Sequence, residues 1–195
     1  MATGLFFGTF NPVHRGHEAM ASSFLSSESI EELWVILTPT PPHKKNLSIA
    51  PFRHRWNMLQ LAMSGRPRVQ LSDFELQISS PHYTFKTISL LTERYREHDF
   101  ALCIGSDTLQ TLTTWYEYSQ LSDYVALLVA ARPGVPTDVP QELSGFTVRY
   151  CDHEMVDVSS TEIRQELASG YIPGSDKIHP DVARYIRDNK LYGYE

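Results

Sequence analysis

The sequence predicts an α/β fold, a doubly wound parallel sheet followed by a small C-terminal helical segment. Three observations carry this expectation. Short β-branched or aliphatic runs alternate with stretches of helical period, the pattern of successive βαβ units. Clusters of unusual residues at 8–17, 38–45, 105–107 and 158–164 each lie past the carboxyl end of a run read as a strand, where open α/β sheets take ligands. The 195 residues are 42% hydrophobic and 21% charged, which suits one domain, 1–195, built around one core.

In chain order, the first strand runs from Thr3 to Phe7, and a helix from Gly16 to Leu25 follows it. The second strand, Leu33 to Leu37, leads to a helix over Phe52 to Met63, where Phe52, Trp56, Leu59 and Met63 recur at helical spacing and predict one buried stripe. A strand at Arg68 to Ser72 precedes a helix at Thr84 to Tyr95. The apolar run Phe100 to Ile104 is the fourth strand, with a short helix expected near Thr114 to Leu121. Val125 to Ala130 and Thr147 to Tyr150 complete the sheet. Between them Arg132 to Leu143, with three prolines and a glycine, reads as a surface loop. The helical part, about 159–195, holds two helices. Thr161 to Ala168 stops before Gly170, a usual C-cap residue, and Pro180 to Asp188 opens on a proline suited to a first turn.

A formal net charge of −6 argues against a duplex DNA or RNA partner, whose phosphates call for a basic face. Cys103 and Cys151 sit in apolar stretches without zinc-type spacing and read as buried thiols in a reducing cytoplasm. The N-terminus lacks the basic start and long apolar stretch of a signal peptide, and no apolar run has membrane-spanning length. A soluble cytoplasmic protein is expected, with homo-oligomerisation left open.

The strongest chemical signal is Gly8-Thr-Phe-Asn-Pro-Val-His-Arg-Gly-His17, a strand passing through a tight loop into a helix. Gly8 would let backbone approach a ligand, Pro12 stiffens the turn, and the helix start points free N–H groups and a positive dipole end at an anion. His14 and His17 stand at that mouth and can donate hydrogen bonds to phosphate oxygens, or charge if protonated. A metal site is the rival, weakened because no third ligand lies at close spacing, so no protein metal site is assigned. The segment is neither a Walker loop nor a GxGxxG fingerprint. The second signal is Val158-Ser-Ser-Thr-Glu-Ile-Arg164. Ser159 with Glu162 is a capping box, a sufficient structural explanation, yet capping and anion binding share a helix N-terminus, and Arg164 adds a fork suited to phosphate.

These two segments resemble the G-x-F-[DN]-P-x-H-x-G-H and I-S-S-T-x-I-R motifs of the HxGH nucleotidyltransferases, with valine for the first isoleucine of the second. The resemblance implies a Rossmann-like sheet and an ATP-using transferase. Three more segments narrow the substrate: Pro41-Pro-His-Lys44, Tyr83-Thr-Phe-Lys-Thr87 with Ile104-Gly-Ser-Asp107, and Thr114-Trp-Tyr116. Together they are similar to the bacterial-type nicotinate mononucleotide adenylyltransferases, over nearly the whole chain. Departures are Pro81-His82 before Tyr83, where a serine is usual, and Thr108 for serine. The family likeness implies transfer of the adenylyl group of ATP to nicotinic acid mononucleotide, with Mg²⁺ accompanying the ATP. It implies His14 and His17 at the reacting phosphate, and Gly8, Thr9, Phe10, Ser159, Ser160 and Arg164 around ATP. Lys44, Thr84, Asp107, Trp115 and Tyr116 are expected at the acceptor. Pantetheine-phosphate adenylyltransferase is the alternative within the class, and a non-catalytic nucleotide sensor the alternative outside it.

Overall fold

The computed structural model describes residues 2–40, 49–131 and 135–194. Six parallel strands form one sheet: β1 (Ala2–Gly8), β2 (Ile30–Leu37), β3 (Val69–Ser72), β4 (Phe100–Gly105), β5 (Val125–Ala131) and β6 (Val148–Asp152). Their spatial order is β3-β2-β1-β4-β5-β6, so the winding reverses between β1 and β4. Leu5 of β1 lies beside Trp34 of β2 and Leu102 of β4, and the crevice opens above this pair, between Gly8 and Gly105.

Helices cover both faces, which explains the near-continuous apolar strands. Alternation along each strand divides the core in two: Leu33, Val35 and Leu37 face one layer, Trp34 and Ile36 the other. The helices are α1 (Arg15–Ser26), α2 (Phe52–Met63), α3 (Thr84–Arg94), α4 (Ser106–Thr111), α5 (Ser160–Ala168) and α6 (Pro180–Asp188). Residues of α1, α2, α5 and α6 share the first layer, and α3 with Leu109 of α4 belongs to the second. Gly170 follows α5 at φ +80°, the left-handed stop that glycine permits. Pro180 opens α6 behind His179, whose ring accepts the Asp181 N–H. Both cysteines are buried free thiols, and burial holds them in the thiol form. Among the described residues no helix is long and apolar enough to cross a membrane.

The structure corrects two expectations and refines a third. On α2, Leu59 and Met63 are buried, but Phe52 and Trp56 are only partly so and stack on each other, centroids 6.1 Å apart. The buried arc is Arg55, Met58, Leu59, Ala62 and Met63, an ordinary i, i+3, i+4, i+7, i+8 face except for its arginine. No single helix spans Thr114 to Leu121. Instead α4 begins directly at the end of β4 and passes into a 3₁₀ turn at Leu112–Thr114. The chain then extends at Trp115, turns left-handed at Glu117 (φ 52°) and re-coils over Tyr118–Asp123. Threonines 111, 113 and 114 are β-branched and resist continuing a helix there. In the expected loop, 132–134 lie outside the described residues and 135–140 have no regular structure. Gln141–Leu143 is a 3₁₀ turn anchored by the buried Leu143.

Candidate active site

The loop after β1 is shaped from within. Phe10 has φ +44°, a conformation non-glycine residues rarely adopt, and its ring folds back into the core with 1% exposure. It packs edge-on against Phe6 (5.7 Å) and His17 (4.9 Å). A Cβ on Gly8 would stand 2.5 Å from that ring, so Gly8 is required by Phe10 itself. The Phe10 side chain packs against His17 in the core and is not part of the cleft lining, which leaves the backbone of this loop as the part that faces outward.

His14 is the N-cap of α1 and His17 its third residue, which explains their spacing. The His14 N–H donates to His17 Nδ1 at 3.2 Å. Nδ1 is therefore an acceptor, and in the neutral ring the proton sits on Nε2. The two rings lie 3.8 Å apart. Burial pulls the His14 pKa down to about 4, against a smaller opposing pull from Glu162, so this ring is neutral at neutral pH. The unfolded chain then takes up the proton first: stability is full above about pH 6.5 and falls as pH drops towards 4. About 3 kcal/mol is at stake. Melting temperatures of His14→Gln should decline less than those of the parent across that range, and identical slopes would place the acid sensitivity elsewhere.

A cleft of about 520 Å³ lies over the β1/β4 crevice, lined by His14, His17, Gly105, Asp107, Trp115, Ser159 and Ser160 among others. The fold thus gathers residues from α1, α4, the Trp115 segment and α5. Asp107, in the first turn of α4, folds its carboxylate back so that a Cβ on Gly105 would meet it at 2.5 Å.

The start of α5 is stitched to the loop after β1. Ser160 Oγ donates to the Pro12 carbonyl (2.9 Å) and Arg164 Nη1 to the Asn11 carbonyl (2.8 Å). Two helix N-termini thereby meet at the cleft, concentrating positive dipole ends. Ser159 is the N-cap, its Oγ accepting the Glu162 N–H (3.2 Å) while the Glu162 carboxylate accepts the Ser159 N–H (2.9 Å). The expected capping box is present. Ser159→Ala should lower stability by roughly 0.5–2 kcal/mol, read from denaturant unfolding, and no loss would mean that Glu162 caps the helix alone. Arg164 also bonds Thr161 Oγ1 (3.2 Å) and borders a neighbouring cavity with Ala50, Pro51, Lys190 and Tyr192.

On the other side, Tyr83 and Tyr116 stack at 4.5 Å and 18°, bringing the start of α3 to the Trp115 segment. Thr84 opens α3, so its N–H is one of those without an intrahelical acceptor. Lys44 lies outside the described residues.

One important residue escaped sequence reasoning. Arg55 is 1% exposed and donates to four carbonyls: Ala50 (2.8 Å), Thr9 (2.9 Å), Thr38 (2.8 Å) and Pro39 (2.6 Å). Burial lowers its pKa to about 10, so it keeps its charge at neutral pH. It clamps the loops after β1 and β2 together. Its only signal was a cation in phase with Leu59 on the buried arc.

With this geometry in place, known proteins give a concordant picture. The profile of the cytidylyltransferase-like family matches residues 5–166. The nicotinate-nucleotide adenylyltransferase of Bacillus subtilis is 34% identical over 97% of each chain. A Bacteroides fragilis protein named "Probable nicotinate-nucleotide adenylyltransferase" is 38% identical over 86% of this chain and 83% of its own. The fold is shared with Plasmodium falciparum nicotinic acid mononucleotide adenylyltransferase complexed with NaAD, at TM-score 0.81 and 23% identity, covering 100% of this chain and 98% of that one. A parallel sheet with paired histidines at its carboxyl edge is here a nucleotidyltransferase, in the cytidylyltransferase-like family. Within that class the chain belongs to the nicotinate-nucleotide adenylyltransferases, and is an enzyme.

Proposed function

We infer that this chain transfers the adenylyl group of ATP to nicotinic acid mononucleotide, giving nicotinic acid adenine dinucleotide and pyrophosphate. The observation that carries this reading is the cleft between two helix N-termini, with His14 and His17 at one side and Trp115 at the other. An oxygen of the acceptor phosphate attacks the α-phosphorus of ATP in line. A new P–O bond forms, the bond to the β-phosphate's bridging oxygen breaks, and pyrophosphate leaves with the electron pair. No covalent enzyme intermediate is needed; positioning and charge stabilisation suffice.

In this reading His14 and His17 donate to oxygens on the reacting phosphorus. Ser159, Ser160 and Arg164 hold the β and γ groups, Arg164 with the donors left after its bonds to Asn11 and Thr161. Gly8, Thr9 and Phe10 meet ATP through backbone. Trp115 stacks on the pyridine ring, with the Thr84 and Tyr116 N–H groups toward its carboxylate. Asp107 and Lys44 are assigned to substrate. Among the described residues no three His, Cys, Asp or Glu side chains gather to cage a metal ion. Mg²⁺ would enter with the triphosphate of ATP rather than in a protein cage. It supplies charge neutralisation at the leaving pyrophosphate. We further propose a cytoplasmic enzyme of one domain, supported by Ile163, Val182 and Ile186 of the C-terminal helices sharing a core with Phe6 and Leu33.

The test is a competition between the acid and amide mononucleotides at equal concentration, with ATP and Mg²⁺. Two N–H donors favour a carboxylate; the amide turns its own NH₂ toward one of them. Losing a charged hydrogen bond and orphaning a donor disfavours nicotinamide mononucleotide by at least about tenfold. Trp115→Ala should weaken both substrates alike, because stacking does not distinguish acid from amide. Equal use of both substrates would refute the acid-specific site, and no dinucleotide from either would refute the reading.

A further inference from the structure

Thr38, the residue after β2, is held on three sides. Its N–H donates to the Gly8 carbonyl (2.9 Å), its carbonyl accepts from Arg55 (2.8 Å), and its hydroxyl bears on the carboxyl of Glu75. Glu75 lies in the 3₁₀ turn Phe74–Gln77, which sequence reading had missed, and is 1% exposed. Its Oε1 accepts from the hydroxyl of Thr87 at 2.7 Å. Thr87 is fully buried in the first part of α3, and its hydroxyl also approaches the Tyr83 carbonyl at 3.4 Å. Tyr83 in turn carries the ring stacked on Tyr116.

A buried carboxyl with one oxygen bonded to Thr87 and the other without a hydrogen-bond partner among the described residues is a poor way to stabilise a core. Isolated buried polar groups are costly, and an apolar residue would fill the same space without that cost. Burial pushes the Glu75 carboxyl up and the Thr87 and Thr38 hydroxyls pull it back, so the group depends on those partners. What it gains is connection. It joins the segment that starts the loop after β2 to the start of α3, and through Tyr83 and Tyr116 to the Trp115 segment. Thr87, which the resemblance placed in a substrate motif, reaches no part of the cleft lining.

We propose that Glu75 and Thr87 are positioning residues for the acceptor: their hydrogen bond fixes the first turn of α3 against the loop after β2, setting the distance between the Thr84 N–H and Trp115. The inference rests on the acceptor placement given above. The Glu75–Thr87 bond itself touches neither α1 nor α5, which grip ATP in that reading, and meets the loop after β1 only at second hand through Thr38.

Thr87→Val keeps the shape and removes the hydroxyl; Thr87→Ser keeps the hydroxyl. Steady-state kinetics should show Thr87→Val raising the KM for nicotinic acid mononucleotide about tenfold, with the KM for ATP moving less than about twofold, and Thr87→Ser restoring the parent values. A rise in both constants alike would mean general loosening, and no rise in either would mean an inert contact; each overturns the inference. If Thr87→Val is recovered unfolded, Glu75→Gln carries the same test with the same two readings. Trp115→Ala is measured in parallel. If it leaves the acceptor KM unchanged, the acceptor placement and the inference fall together; if it raises that KM while Thr87→Val does not, only the inference falls.

Discussion

Replacing His17 with alanine is expected to lower turnover by roughly 10²–10³ while the chain stays folded, the usual cost of deleting one donor aimed at developing charge. Two features of the site sharpen the experiment. The Nδ1 side of the ring accepts from the His14 N–H, so in the neutral ring the donor is Nε2–H. The ring also rests on Phe10, so its orientation is set by packing as well as by that bond. His17→Asn separates the two ends: its amide oxygen can still accept from His14, but its reach ends short of the phosphate. It should keep the parent's melting temperature and lose turnover nearly as far as the alanine variant. Pyrophosphate release under saturating ATP and acceptor reads the effect. A folded His17→Asn enzyme with near-parental turnover would remove His17 from the chemistry.

The second large effect falls on stability. Arg55→Met is expected to lower the melting temperature by about 6–12 °C, corresponding to roughly 3 kcal/mol for a chain of this size. Methionine fills the stem of the arginine but leaves four carbonyls, at Thr9, Thr38, Pro39 and Ala50, without their donors. Among the described residues Arg55 makes no ion pair, so the loss is that of charge-assisted hydrogen bonds to backbone. Arg55→Lys retains the charge but carries its three donors on one atom and should recover only part of the loss. A melting temperature for Arg55→Met within about 2 °C of the parent would show that water replaces the guanidinium at all four carbonyls.

Much of the molecule was legible before any coordinates. All six strands stand where the apolar runs placed them, because parallel strands covered on both faces must be apolar on both. Helices α2 and α6 have the expected bounds, since period and capping residues are local signals. The histidine loop and the serine–arginine segment stand out because their residue types are chemically unusual at strand ends, whereas Trp115 was reached through the family resemblance. Less legible was any element whose reason lies elsewhere in the chain. Threonines 111, 113 and 114 break one helix into several turns, and Glu75 in its short turn carried no period at all.

The sequence by itself determined the fold class, the strand positions and the family, because each depends on local pattern or on a contiguous motif. Only the tertiary structure decided what supports the site. Gly8 is glycine for the sake of a ring two residues on, which turns back through a left-handed φ that no local pattern announces. Arg55 is a structural cation because carbonyls 46 and 17 residues away, at Thr9 and Thr38, converge on it. Thr87 bonds a carboxyl 12 residues earlier, in a turn without periodicity. A buried polar group is stable only through its partners, and those partners are chosen by the packing of distant segments, which one-dimensional periodicity does not encode.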